Sequence, residues 1–120
     1  MTATLGYAMA GTCDADLQEQ VAELCAAGVD SRRIFTDRHP GPADKMRAGL
    51  VALLSYARTG DVVVVSALQQ LGRTATEVSR TVADLDSRGI TVRCLRSGVD
   101  TATASGRMVA RVLTELAALD

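Results

Sequence analysis

Aromatic side chains are nearly missing: 120 residues contain no Trp, two Tyr and one Phe. So few rings cannot build a stacking platform for single-stranded nucleic acid. An excess of positive charge is missing too, since the formal net charge is −1 and the pI about 5.8. A free-standing domain that binds nucleic acid by electrostatics alone is usually strongly basic, so that class is disfavoured. No apolar run approaches the roughly twenty residues of a membrane span, and no signal peptide is expected. A cytoplasmic protein without membrane contact is expected. The three cysteines, Cys13, Cys25 and Cys94, have neither an even count nor a metal-ligand spacing. Cys25 is expected on an apolar helix face and Cys94 in a strand, both as buried, reduced thiols. The single histidine, His39, has no second ligand or catalytic partner beside it. No cofactor and no metal are expected.

What the chain does have is apolar content, 48%, enough for one domain with one core. Its punctuation alternates strands with helices. Leu5 to Thr12 reads as a buried strand running into a turn at Gly11. Asp14 and Asp16 open a helix whose apolar positions Leu17, Val21, Leu24 and Cys25 share a face, and Gly28 closes it. Arg33 to Thr36 is a short strand, and Arg38 to Asp44, with Pro40 and Pro42, is a loop. An amphipathic helix from about Ala43 to Arg58 follows. Val62 to Val65 is a β-branched run typical of a strand covered on both faces. Leu68 to Arg73 is expected as a loop, and Thr74 with Glu77 as a capping box at the start of the next helix. Gly89 ends that helix, Ile90 to Leu95 is a fourth strand, and 97–105 is a loop. The last helix, from about residue 103, carries Met108, Val109, Val112, Leu113 and Leu116 on a broad apolar surface. This order predicts a three-layer α/β domain with a central, mainly parallel sheet of four or five strands. Ligands of such sheets sit at the carboxyl ends of the strands, here the first and third.

Arginine supplies twelve of the thirteen basic residues, with Lys45 the exception. Genome composition accounts for this as readily as phosphate binding does. Arg32, Arg33, Arg38 and His39 read as a solvated surface cluster.

Taken in order, several segments resemble the catalytic domain of the serine recombinases, the resolvase and DNA-invertase family. They are Leu5-Gly6-Tyr7-Ala8, Leu17 to Gly28 with Gln20, Arg33 to Asp37, Arg47-Ala48-Gly49-Leu50, Gly60 to Val65, Leu71-Gly72-Arg73, and Gly106 to Val109. The resemblance spans essentially all of 1–120 and implies a resolvase-like fold. It also implies metal-free attack of a serine hydroxyl on a DNA phosphorus, with arginines meeting the charge on the phosphoryl group.

The site departs from that pattern in four places. The family's first strand ends Tyr-Ala-Arg-Val-Ser-Thr, whereas Met9 stands at the arginine and Gly11 at the nucleophilic serine. The later motif Leu-Asp-Arg-Leu-Gly-Arg becomes Leu68-Gln69-Gln70-Leu71-Gly72-Arg73, so an acid and an arginine are both Gln. Tyr7, Thr12, Gln20, Asp37, Arg47, Asp61 and Arg73 match family positions in or around the site. Each missing phosphate-facing donor is worth about 3–4 kcal/mol by analogy with oxyanion-hole deletions. A degenerate site is expected, with no functional catalytic residue and with Arg47 and Arg73 as phosphate-binding candidates or as partners of Asp37 and Asp61. The expected function is an inactive oligomerisation or regulatory module, only weakly associated with DNA by itself. The resemblance implies a homodimer or hetero-oligomer through the terminal helix, a shortened form of the family's dimer seam. The alternatives are an active recombinase using Thr12 or Ser66 as nucleophile and a non-covalent DNA or phosphate binder.

Overall fold

The computed structural model describes residues 3–10, 14–38, 48–72, 74–96, 98, 100–103, 106, 108 and 112. Four parallel strands, β1 (Thr4–Ala10), β2 (Ile34–Arg38), β3 (Val62–Val65) and β4 (Thr91–Cys94), form one sheet in the order β2-β1-β3-β4. Helices α1 (Asp14–Ala26), α2 (Ala48–Tyr56) and α3 (Ala75–Ser87) alternate with them.

The strand order dictates the layers. From β1 the chain moves to one neighbour, β2, then crosses back over β1 to β3 and on to β4. Parallel crossovers are right-handed, so reversing direction along the sheet puts the next helix on the other face. One face therefore packs Ala8 and Val64 under Leu24 and Val29, with Leu17, Val21 and Ile34 at its margin. The other face packs Leu5, Tyr7, Val63, Val65, Val92 and Cys94 against Leu50 and Leu53 of α2 and Val82 and Leu85 of α3. The period-2 alternation along β1 sends Leu5, Tyr7 and Met9 to the α2–α3 side and Ala8 to the α1 side. Every position of β3 except its first is buried, as its β-branched run predicts.

Helix ends follow the sequence signals closely. Thr74 caps α3, its hydroxyl accepting from the Glu77 N–H at 3.1 Å. Gly28 and Gly89 follow α1 and α3 with φ of 100° and 75°, backbone conformations that favour glycine.

Several expectations need correction. Leu68–Leu71 is a 3-10 turn rather than a loop, because buried Leu71 draws the segment against the core. The second strand runs on to Arg38 in register with Ala10 of β1. The sheet has the four strands expected as the lower count, and past β4 a single antiparallel bridge joins Arg93 to Asp100. There Thr101 grips β4 twice: its N–H donates to the Val92 carbonyl at 3.0 Å, and its hydroxyl accepts from the Val92 N–H at 2.9 Å. Cys25 is exposed, unlike Cys94. It sits one residue past Leu24, which rotates it about 100° off the face that α1 buries. Cys13, His39, the proline-containing loop and the start expected for the second helix lie outside the described residues.

Candidate functional site

The carboxyl ends of β1 and β3 lie side by side although β2 comes between them in sequence. That neighbourhood is where the chain changes direction along the sheet, the usual place for a ligand crevice. β2 pairs with β1 as far as Ala10, but β3 pairs with it only as far as Tyr7. Beyond Tyr7, the β3-side edge of β1 has lost its strand neighbour.

Gln20, reaching across from α1, engages Met9 there. Its side-chain oxygen accepts from the Met9 N–H, and its NH2 donates to the Met9 carbonyl, both at 3.0 Å. A backbone donor and acceptor that would otherwise need water or a strand are thus satisfied by one buried amide. The Met9 side chain lies partly buried against the α2–α3 core. Where the family pattern has an arginine, this chain packs a thioether.

Asp37, at the end of β2, collects three donors. The fully buried Tyr7 hydroxyl donates to Oδ2 at 2.8 Å, the Gly49 N–H to Oδ1 at 2.8 Å, and the Leu50 N–H to Oδ2 at 2.9 Å. Gly49 and Leu50 belong to the first turn of α2, whose N–H groups lack partners within the helix and favour an anion. Close approach of that turn to β2 explains Gly49, since a Cβ there would run into the Thr36 carbonyl. Asp37 thereby ties β1, β2 and α2 together.

On the β3 side the site is built differently. Ser66, directly after β3, is fully buried. Its hydroxyl accepts from the Gln70 side-chain NH2 at 2.8 Å, and its carbonyl accepts from the Arg96 N–H at 3.0 Å and the Cys94 thiol at 3.6 Å. Gln70 is thus buried and turned inward, whereas Gln69 is exposed. A cleft of about 350 Å³ opens beside them, lined by Ala67, Leu68, Gln69, Cys94 and Arg96. Arg96 also pairs with Glu23 of α1 at 3.1 Å. Cys94 and Arg96 were not singled out from sequence for this place. The available signal was their position at the carboxyl end of a parallel strand.

Asp61 is not part of this neighbourhood. It precedes β3 and faces the start of β1, where its carboxylate accepts from the N–H groups of Ala3 and Arg58, both at 2.9 Å. Tyr7 lies four residues along β1 from Ala3, roughly 13 Å at strand rise. The expectation that Asp61 belongs to the site is corrected: it closes the opposite edge of the sheet. Gly11, Thr12, Arg47 and Arg73 lie outside the described residues. On the terminal helix Met108 and Val112 are exposed, while Val109, Leu113 and Leu116 are outside.

Of the surface arginines, Arg32 forms a two-point contact with Asp30, its Nε at 3.3 Å and Nη2 at 3.0 Å. That hydrogen bond is the main cause holding the Asp30 carboxyl below its usual range. Arg33 is exposed beside it, so these two belong to a solvated surface. The side chain of Arg38 and all of His39 are outside the described residues. Among those residues no group of three or more His, Cys, Asp or Glu gathers to hold a metal. None of their helices is long and apolar enough to cross a membrane.

The architecture has clear counterparts. The crystal structure of the N-terminal catalytic domain of TP901-1 integrase matches with a TM-score of 0.74, covering 97% of this chain and 93% of that one at 21% identity. A resolvase family site-specific recombinase from Streptococcus pneumoniae matches with a TM-score of 0.64, covering 99% and 87% at 16% identity. At those identities the likeness is one of fold. Among curated sequences, the Transposon Tn3 resolvase of Escherichia coli is 35% identical over 93% of this chain. The DNA-invertase hin of Salmonella typhimurium is 35% identical over 98%. The match spans 60% of the length of each relative. The family model described as "Resolvase, N terminal domain" matches residues 5–120, and the chain belongs to that family.

Proposed function

We propose that this chain is a catalytically inactive resolvase-type domain that serves as an assembly module. In this reading it joins a second copy or another subunit through its terminal helix, and it meets DNA mainly through what its partners supply. One observation carries the proposal: Gly11 stands where the family pattern has its serine, and glycine has no side-chain oxygen to attack phosphorus. Three further features support it. Met9 sits at an arginine position and packs against the core. Gln70, at a second arginine position, is turned inward onto Ser66. The Ser66 hydroxyl, the described candidate for a substitute nucleophile, is fully buried and already engaged by that amide. For assembly, Met108 and Val112 are both exposed on the terminal helix, and a spacing of four residues puts them on one face.

The catalytic half of the proposal is tested by incubating the purified chain with supercoiled plasmids carrying random inserts and resolving the mixture on denaturing gels. No protein–DNA adduct is expected, and a covalent band overturns the reading. Sedimentation at high micromolar concentration tests the other half. Self-association is expected, and it should be lost in the Met108→Glu, Val112→Glu double variant. A strictly monomeric parent, together with no uptake into complexes of an active relative, overturns assembly.

A further inference from the structure

A second cleft, of about 360 Å³, lies at the amino edge of the sheet, away from the degenerate site, and is lined by Ala3, Ser55, Tyr56, Arg58 and Asp61. We infer that it is a recognition pocket for a basic side chain of a protein partner, flanked there by an acidic residue. Asp61 supplies the charge that selects the guest. It is buried, and among the described residues its two carboxylate oxygens accept one hydrogen bond each, from the N–H groups of Ala3 and Arg58. An ionised carboxylate has about four acceptor positions, more than these two described donors fill, and a guanidinium or ammonium suits the rest. Backbone donors fix the carboxylate in place before any guest arrives, so little order is lost on binding.

Tyr56 supplies the wall. Its side chain is the large exposed ring among the described residues, 55% accessible, at the carboxyl end of α2. Phe35 of β2 braces it, with ring centroids 5.8 Å apart and an angle of 49° between planes. A braced aromatic surface beside a carboxylate suits the apolar stem and charged head of Arg or Lys. Exposed Tyr and Arg at a concavity are also the residue types that dominate binding energy at protein interfaces.

Arg58 sets the second half of the specificity. Its guanidinium makes no hydrogen bond or ion pair with the described residues, and it stands on the same rim as Tyr56. A bare polycation would be repelled there. An acidic neighbour next to the guest's basic residue turns that repulsion into a second ion pair, which is the charge complementarity expected of a specific interface.

The test uses the full chain labelled with nitrogen-15 and three probes: N-acetyl-Arg-Glu-amide, N-acetyl-Gln-Glu-amide and N-acetyl-Arg-Gln-amide. The backbone amides of Ala3 and Arg58 are built-in reporters, because both donate to Asp61. Saturable millimolar shifts of those two signals are expected with the Arg-Glu probe. Affinity should weaken about two- to fivefold in Tyr56→Ala, the range for an exposed cation–π contact. It should also weaken for Arg-Gln and vanish for Gln-Glu. Asp61→Asn, checked for folding by its amide spectrum, should abolish the preference for Arg over Gln. Equal response to the Gln-Glu probe, or an unchanged affinity in Tyr56→Ala, overturns the inference.

Discussion

The two flanks of the candidate site differ in how far they follow the family pattern. On the β1–β2 flank, Tyr7, Gln20 and Asp37 match the family pattern, and each is hydrogen-bonded into the fold. On the flank that follows β3, Gln69 and Gln70 stand where the pattern has an acid and an arginine, and one of them is exposed. Among the described residues of that first flank the three that match are ones the fold itself uses, and Met9 beside them, which departs from the pattern, packs on the core. The replaced ones include a side chain, Gln69, whose counterpart in the pattern would serve mainly a ligand. Agreement at Tyr7, Gln20 and Asp37 therefore says little about residual chemistry, because a chain that had lost its reaction would still need them to pack.

Measured stability can break that comparison. Asp37→Ala should have the largest effect, since it removes the carboxylate that accepts from the buried Tyr7 hydroxyl and from two N–H groups at the start of α2. The expected loss is about 4 kcal/mol in denaturant unfolding, because hydrogen bonds to a charged group are the strong ones and the helix dipole adds to them. A change near zero would mean that Asp37 is kept for something other than folding. Asp61→Ala, which releases two backbone N–H groups at the opposite edge, should cost about 2–3 kcal/mol on the same scale. Gln20→Ala leaves one neutral donor and one neutral acceptor at Met9, and about 1–2 kcal/mol is expected. In that variant the hydrogen exchange of the Met9 amide should accelerate more than that of Leu5, deeper in the same strand.

What the sequence made legible follows from the range of each signal. β3 was readable because four β-branched residues bounded by Gly60-Asp61 and Ser66 leave little choice. The start of α3 was readable because a cap and its N3 partner lie three residues apart. Long-range placement was not readable in the same way. Asp61 sits in the same Gly-Asp-Val run as β3, and nothing local says that its carboxylate turns toward Ala3, fifty-eight positions away, at the wrong edge for the site. The inward turn of Gln70 was likewise hidden, because it depends on Ser66 being buried after β3 ends. The four departures at Met9, Gly11, Gln69 and Gln70 were visible at once, since a substituted residue type needs no coordinates to be noticed.

The smallest expected effect separates the flanks most cleanly. Gln69 lines the cleft beside Cys94 and Arg96, but it is exposed, and no hydrogen bond ties its side chain to the described residues. Gln69→Ala should change stability by no more than about 0.5 kcal/mol, as for other surface substitutions without such ties. Gln69→Asp, which returns the family's acid to that position, should be tolerated equally well in unfolding experiments. If either variant costs as much as Gln20→Ala, then Gln69 has been recruited into the fold, and the contrast between a structural flank and a ligand-facing flank fails. If both are silent, the amide at 69 is unconstrained by folding, as a position that has lost its ligand should be.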